Sequence, residues 1–189
     1  TTYGDNCTAI GAGGNGYCQM KISGGDITAH CSGTGAAIGG GIGWHSGGGT
    51  SDITITGGDV YAENHGKIYL RATYNADGSI SGTTIVDKDN PGGYNEIIGG
   101  VAIGSGSSFF AEGTEGQVTI TGGTVEAYGT FGNGIGGGNS STYAGGKATI
   151  TISGGNVTAT SIGGGNSRNG SGGNATVTIE GTANVILSG

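Results

Sequence analysis

The chain has 189 residues, of which 49 are glycine and one is proline, and its formal net charge is −7. Collagen needs glycine at every third position together with abundant proline, so the composition excludes it, and the regular recurrence of Ile and Val excludes a disordered linker. With only six Lys and Arg residues, the chain is not expected to bind nucleic acid. No apolar stretch approaches about 20 residues, so no membrane insertion is expected.

Three cysteines lie near the start of the chain, at Cys7, Cys18 and Cys31. In an exported protein one disulfide could form among them, in any of three pairings, and leave one thiol over. The alternative is three reduced cysteines. There is no Cys-x-x-Cys pair, and the three histidines have no spacing typical of a metal site, so no metal is expected.

Two phrases recur along the chain. The first, as in DITITGGDVYA, is centred on Ile22, Ile55, Ile120, Ile152 and Ile179. The second, as in AIGGG, contains Ile10, Ile38, Ile103, Ile135 and Ile162. From the second repeat onward, the isoleucine of the second phrase and the next central isoleucine are 17 residues apart. A constant spacing of this kind indicates a structural period.

Each repeat predicts three short strands separated by glycine corners. In DITITGG, Ile53 and Ile55 face one side and Thr54 and Thr56 the other, while DVYA and AAIGGG supply the second and third strands. Glycine adopts the positive φ that tight corners need. Stacking of like residues then predicts an all-β fold, a single right-handed parallel β-helix (solenoid) of five or six coils with three short strands per coil. The recurring isoleucines are predicted to form its core.

The period is interrupted between Ile55 and Ile103. The segment KIYLRATYNADGSISGTTIV alternates on both sides of Asp77 and Gly78. This pattern predicts a protruding hairpin over residues 67–86, within an insertion over about residues 63–95. The alternative is one further, degenerate coil. In either case the chain is predicted to form one domain over residues 1–189.

The phrases TITISGGNVTA and IGGGN resemble the glycine-rich repeats of secreted and cell-surface proteins of Gram-positive, largely anaerobic, bacteria. The resemblance covers about 150 residues and excludes the insertion. It implies a right-handed β-helix and an extracellular location. Some proteins of this kind are described as carbohydrate-binding domains related in shape to pectate lyases but lacking their activity, which implies a polysaccharide or glycan partner. The resemblance assigns no individual site residue.

Catalysis is not expected from the arrangement of charged residues. A lyase needs a basic residue beside acidic calcium ligands, and Lys21 is the only basic residue on a repeat strand, with no acidic cluster beside it. Asp26 and Asp59 occupy equivalent positions, but Thr124 and Asn156 follow in the next repeats, so solvated turn residues are the simpler interpretation. We therefore predict a protein that is not an enzyme and needs no cofactor.

Aromatic residues follow the IGGG phrases at similar distances, six to eight residues after the isoleucine. Stacked loops would align these rings into a stripe that holds sugar rings or, alternatively, folds over the edge and protects the core. Trp44, with His45 beside it, is the best single candidate contact. The sequence thus predicts a non-catalytic carbohydrate-binding or adhesion module, with the candidate ligand-binding residues Tyr17, Trp44, His45, Phe109, Phe110 and Tyr143.

Two other functions compete with this prediction. Both ends of a strand stack expose unpaired backbone groups, and no polar cap is evident in the closing segment TIEGTANVILSG. Two explanations fit: the chain is cut from a longer solenoid, or copies of it assemble end to end into a filament. The outward threonines Thr54, Thr119 and Thr151 form a flat array typical of ice-binding proteins, although outward threonine is ordinary in any strand.

Overall fold

The structure, a computed structural model, describes residues 1–4, 8–44, 46–77, 80–85, 96–167 and 170–189. In these ranges the strands are, in chain order, β1 Thr2–Gly4, β2 Ile10–Gly11, β3 Tyr17–Cys31, β4 Ile38–Gly39, β5 Thr50–Asn64, β6 Lys67–Tyr74, β7 Ile80–Ile85, β8 Glu96–Gly99, β9 Ile103–Gly104, β10 Gly116–Ile120, β11 Thr124–Gly129, β12 Ile135–Gly136, β13 Ala148–Ile152, β14 Asn156–Ala159, β15 Ile162–Gly163, β16 Ala175–Ile179 and β17 Asn184–Leu187. Over the described ranges there is no helix long and apolar enough to cross a bilayer.

Two parallel sheets make up most of the molecule. The large sheet has nine strands: seven follow the order β16-β13-β10-β5-β11-β14-β17, while β3 pairs with β5 and β1 pairs with β3. The seven-strand path curls into a half-barrel. The small sheet has five two-residue strands in the order β15-β12-β9-β4-β2.

The prediction of a right-handed β-helix (solenoid) with three short strands per coil is therefore wrong, and two parallel sheets take its place. The double glycine was expected to separate two strands at a corner. β3 and β5 instead continue through it, whereas in the later repeats β10 and β11, β13 and β14, and β16 and β17 are separate strands. In every repeat both strands belong to the large sheet. Gly58 has a φ of +95°, which lets the strand bend while its backbone pairing continues on either side.

The register within the large sheet joins equivalent residues of successive repeats. Ile55 pairs with Ile22 on one side and with Ile120 on the other, and the series continues through Ile152 to Ile179. The predicted isoleucine series is thus present. The alternating pattern turns the isoleucines inward and the threonines between them outward, so four of the five isoleucines are buried, whereas Ile179 is exposed.

The small sheet explains a glycine that recurs after each isoleucine. Gly39 has a φ of +137° and Gly104 one of +144°, a region that residues with a Cβ atom rarely adopt. A Cβ on Gly39 would also collide with the backbone carbonyl of Gly104, and one on Gly104 with that of Gly136. The close stacking of the small sheet therefore depends on the absence of a Cβ atom at these positions.

A separate three-stranded sheet occupies the predicted insertion. β6 pairs antiparallel with β7 in a backbone register that sets Leu70 opposite Ile85, and it pairs antiparallel with β8 on its other side. The segment predicted as a hairpin over residues 67–86 is thus two strands of a larger antiparallel sheet. Residues 78–79 and 86–95 lie outside the described residues.

The predicted disulfide is also corrected for the cysteines that the structure describes. No disulfide joins Cys18 to Cys31, and both side chains are buried. The Cys31 thiol lies within hydrogen-bonding distance of the Gly35 carbonyl, at 3.5 Å, and accepts from the Gly33 N–H at 3.4 Å. Cys7 lies outside the described residues.

Candidate functional site

The loops that follow the small sheet are stacked on one another by backbone hydrogen bonds. Single parallel bridges join Gly43 to Ser108, Ser108 to Ser140, and Ser140 to Ser167, and we call these four positions the loop ladder. The Gly43 N–H donates to the carbonyl of Ser107 at 2.9 Å. Because the loop backbones are paired in this way, the side chains next to the ladder are held at fixed heights along the stack.

Trp44 directly follows the first position of the loop ladder, and its ring stacks on Phe109. The two ring centroids are 4.7 Å apart and the ring planes are inclined by 28°. Phe109 is only 1% exposed, whereas Trp44 is 43% exposed. One face of the indole therefore rests on a buried ring, and much of the side chain remains open to solvent. Aromatic pairs of this kind contribute about 0.5–1.5 kcal/mol beyond the burial of their area.

Backbone and hydroxyl hydrogen bonds fix this aromatic pair. The Phe109 N–H donates to the carbonyl of Gly43, and the Phe110 N–H donates to that of Trp44, both at 3.1 Å. From the other side, the Ser141 hydroxyl donates to the Phe109 carbonyl at 2.6 Å. These bonds hold the two loop backbones together at the level where the indole of Trp44 stacks on Phe109.

The other predicted loop aromatics lie on the same side of the molecule. Phe110 is partly buried, and Tyr143 is half exposed on the neighbouring loop. The Tyr143 N–H donates to the Ser140 hydroxyl at 3.0 Å, which ties this residue to the loop ladder. His45 lies outside the described residues.

Tyr17 is set apart from the loop aromatics. It begins β3, where it pairs with Thr50 at the start of the large sheet's strands, and its exposed hydroxyl donates to Asp52 at 3.3 Å. The predicted stripe therefore divides in two: Trp44 and Phe109 form a stacked pair in the loops, and Tyr17 belongs to the large sheet.

A polar groove lies where the same loops lead into strands β10, β13 and β16 of the large sheet. It has a volume of about 500 Å³, and its lining includes Ala144, the residue after Tyr143. Its charged and amide-bearing lining residues are Glu112, Glu115, Lys147 and Asn174, all of them exposed. A second groove of about 180 Å³ shares Glu115 and extends to Tyr17. The two grooves supply hydrogen-bond donors and acceptors next to Ala144 and next to Tyr17.

A second cluster of aromatic and acidic side chains was missed by the sequence analysis. On the outer face of the large sheet, His30, Tyr61 and Tyr128 follow one another on successive strands, with 5.7 Å between neighbouring ring centroids. The pKa of Tyr61 is raised, mainly because the side chain is partly buried and next because of the charge of Glu63. The pKa of Tyr128 is also raised, mainly by burial and next by a hydrogen bond to Glu126.

Glu63 connects His30 of this cluster to a second histidine, His65. Its carboxylate oxygens lie 3.0 Å from His30 Nδ1 and 2.7 Å from His65 Nε2. Glu63 and Tyr128 occupy the eighth position after a central isoleucine, and Tyr61 and Glu126 the sixth. A comparison of outward positions beyond the double glycine would therefore have revealed the cluster. The described residues contain no group of three or more side chains able to hold a metal ion.

No protein-family model, curated protein or solved structure matches the chain. The resemblance of its phrases to glycine-rich repeats of bacterial surface proteins therefore stays a prediction.

Proposed function

We propose that the protein is a non-catalytic module that binds a neutral polysaccharide or glycan at the loops around Trp44. The observation that carries the proposal is the stacking of an exposed indole on the buried ring of Phe109. Sugar rings present apolar C–H faces that pack on an aromatic ring, and an indole gives the largest such face. An indole that is already oriented loses little conformational entropy when a sugar covers it.

The polar surroundings support the same class of ligand. Binding sites for small ligands combine an apolar surface with a few polar groups that fix orientation, and sugars offer many hydroxyls for such groups. The groove lined by Glu112 and Lys147 lies close to the loop that carries Trp44 and Gly47. A Cβ atom added to Gly47 would lie 3.9 Å from the backbone carbonyl oxygen of Glu112. The net charge of −7 disfavours anionic polymers and so favours a neutral glycan. The proposed location is extracellular, as the resemblance implies.

Affinity electrophoresis in gels that contain soluble neutral polysaccharides tests the proposal. The wild-type protein is expected to be retarded by at least one polysaccharide from a panel of plant, microbial and mucin glycans. Trp44→Ala should weaken that binding about tenfold or more, equivalent to about 1.4 kcal/mol, and Trp44→Phe should restore part of it.

Phe131→Ala is the matched control, because Phe131 is an exposed aromatic residue between β11 and β12 that is neither a candidate contact nor a lining residue of either groove. It is expected to leave binding within about twofold of wild type. Retardation by no member of the panel would contradict the proposed function. Binding that Tyr17→Ala abolishes and Trp44→Ala preserves would move the site to the groove of the large sheet.

A further inference from the structure

The loop that carries Trp44 lies on a loop that is only half as long. Five residues, 12–16, connect β2 to β3, whereas ten residues, 40–49, connect β4 to β5. The flanking strands are in register, since β2 pairs with β4 and β3 pairs with β5, so the two loops begin and end level with each other. Residues 12–16, which we call the short loop, therefore cannot follow the longer loop out to its tip.

Contacts of the short loop lie at the base of the longer loop. A Cβ atom added to Gly14 would collide with the backbone carbonyl of Ile42. One added to Gly49 would lie 2.8 Å from the carbonyl oxygen of Gly16. Trp44 comes two residues after Ile42, beyond these contacts. One repeat occupies about 4.8 Å along the stack, so a space of about this height, which we call the notch, lies between Trp44 and the level of the short loop.

The notch adjoins the face of the indole that Phe109 does not cover. Phe109 belongs to the following repeat, and its ring stacks on Trp44 with 4.7 Å between the centroids, which is about one repeat along the stack. The opposite face of the indole therefore points toward the repeat with the short loop. The difference in loop length thus explains why Trp44 is 43% exposed although the ring beneath it is buried.

Asn15 brings a polar group to the notch. Its Oδ1 accepts a hydrogen bond from the Ser46 hydroxyl at 2.8 Å, which joins the short loop to the loop of Trp44. Its φ of +60° lies in the left-handed region, which Asn adopts more readily than most residues. Because Oδ1 accepts from Ser46 and the side chain is exposed, the amide N–H groups are the part of Asn15 that can donate to a ligand.

We propose that the glycan inserts one pyranose ring into the notch, where the ring stacks on the open face of Trp44 and a hydroxyl accepts a hydrogen bond from the Asn15 amide. The inference rests on the proposed function and specifies which face of the indole and which polar side chain the ligand contacts. A saturated sugar ring is about as thick as one repeat of the stack, about 4.8 Å, so the notch takes a single ring. The expected ligand is therefore unbranched at the unit that enters, because a branch would meet one of the two loops.

Affinity gels with a polysaccharide that retards the wild-type protein test the role of Asn15. Asn15→Gly removes the amide and keeps the backbone conformation, because glycine also adopts positive φ, and it should weaken binding about fivefold or more. Ser46→Ala is the matched control: it removes the same hydrogen bond between the loops but leaves the amide, and binding should stay within about twofold of wild type. Equal losses in the two variants would mean that Asn15 only holds the loop, and would overturn the proposal.

A longer loop tests the notch itself. Insertion of Gly-Ser-Asn-Ser-Gly after Gly13, which is exposed and has no atom within 4 Å of an added Cβ, makes the two loops equal in length. We expect this insertion to shift the emission of Trp44, the only tryptophan, to the blue and to weaken binding about tenfold or more. The same insertion after Ala76, in the exposed turn after β6, should change neither, and circular dichroism shows whether both variants are folded.

The outcomes separate this inference from the proposed function. Unchanged binding by an insertion variant whose Trp44 emission has shifted overturns the notch as the site. Binding that Trp44→Ala removes but that Asn15→Gly and the insertion after Gly13 leave intact overturns the inference and supports the proposed function. Retardation by no polysaccharide contradicts the proposed function and this inference with it.

Discussion

Strands β10 and β16 share the segment Val-Thr-Ile but have opposite environments. In β10, Val118 and Ile120 are fully buried between β5 and β13, whereas in β16 Ile179 is 53% exposed. The two strands have the same alternation and pair with β13 in the same register. The difference shows that strands with the same alternation are buried inside the stack of repeats and exposed in its last repeat. Local sequence determines which face points inward, and position in the stack determines how much that face contributes to stability.

Glycines of the small sheet should show this contrast most strongly. Gly104→Ala places a Cβ against the Gly136 carbonyl at a φ of +144°, so we expect a loss of about 2–6 kcal/mol from backbone strain and overpacking. Gly163→Ala, in the last repeat, meets no atom within 4 Å and should change stability by less than about 0.5 kcal/mol. Chemical denaturation measures both values. Equal effects of the two substitutions would contradict the contrast between inner and last repeats.

Isoleucines of the large sheet should differ in the same way. Ile120→Ala removes a fully buried side chain and leaves a cavity, so the free energy of unfolding should fall by about 2–5 kcal/mol. Ile179→Ala removes a side chain that is already half exposed and should cost less than about 1 kcal/mol. Thermal unfolding of the two variants gives the comparison. A loss at Ile179 as large as that at Ile120 would mean that the last repeat is covered in solution.

The outer face of the large sheet should make stability depend on alkaline pH. The pKa of Tyr61 is raised in the folded state, so the folded protein holds its phenolic proton more tightly than the unfolded chain does. The resulting stabilisation is complete below the unfolded pKa of about 10 and is lost as pH rises through the folded pKa. Tyr61→Phe should therefore reduce the alkaline loss of stability. An unchanged slope above pH 10 in this variant would show that Tyr61 does not contribute.

The burial of Cys18 in β3 should protect this cysteine from reagents. Burial raises the pKa of the Cys18 thiol, which lowers the fraction of reactive thiolate at neutral pH. Iodoacetamide is therefore expected to label Cys18 slowly in the folded protein and rapidly after denaturation, with peptide mass spectrometry to identify the site. Rapid labelling of Cys18 under native conditions would contradict the burial of this thiol.

The sequence predicted register better than sheet organisation. The 17-residue spacing and the alternation of Ile and Thr identified which residues pair between repeats, because both are set by local geometry. The double glycine was predicted to end a strand, which is confirmed between β10 and β11 but is wrong for β3 and β5, because sequence alone does not show whether a positive φ ends a strand or bends it. Gly58 bends β5 and leaves it continuous.

The aromatic loops show a similar limit. Their spacing correctly brought Trp44 and Phe109 into one region, but it did not show that one ring would be buried beneath the other. Two rings can stack only if their loops place them level with each other. The loop ladder provides this alignment, but its residues show no alternation of apolar and polar side chains that would reveal it in the sequence. The cluster at Tyr61 and Tyr128 was not predicted because the two tyrosines occupy different positions in their repeats, and only the pairing of β5 with β11 places their rings side by side.

Intrinsic fluorescence tests the proposed glycan site most directly, because Trp44 is the only tryptophan in the chain. A polysaccharide that retards the protein in affinity gels should shift or quench this emission in a saturable way, with a dissociation constant that matches the value from the gels. Such a change is expected because the sugar would displace water from the exposed face of the indole. Saturable binding with no change in Trp44 emission would contradict the account, because the ligand would then bind away from the stacked pair.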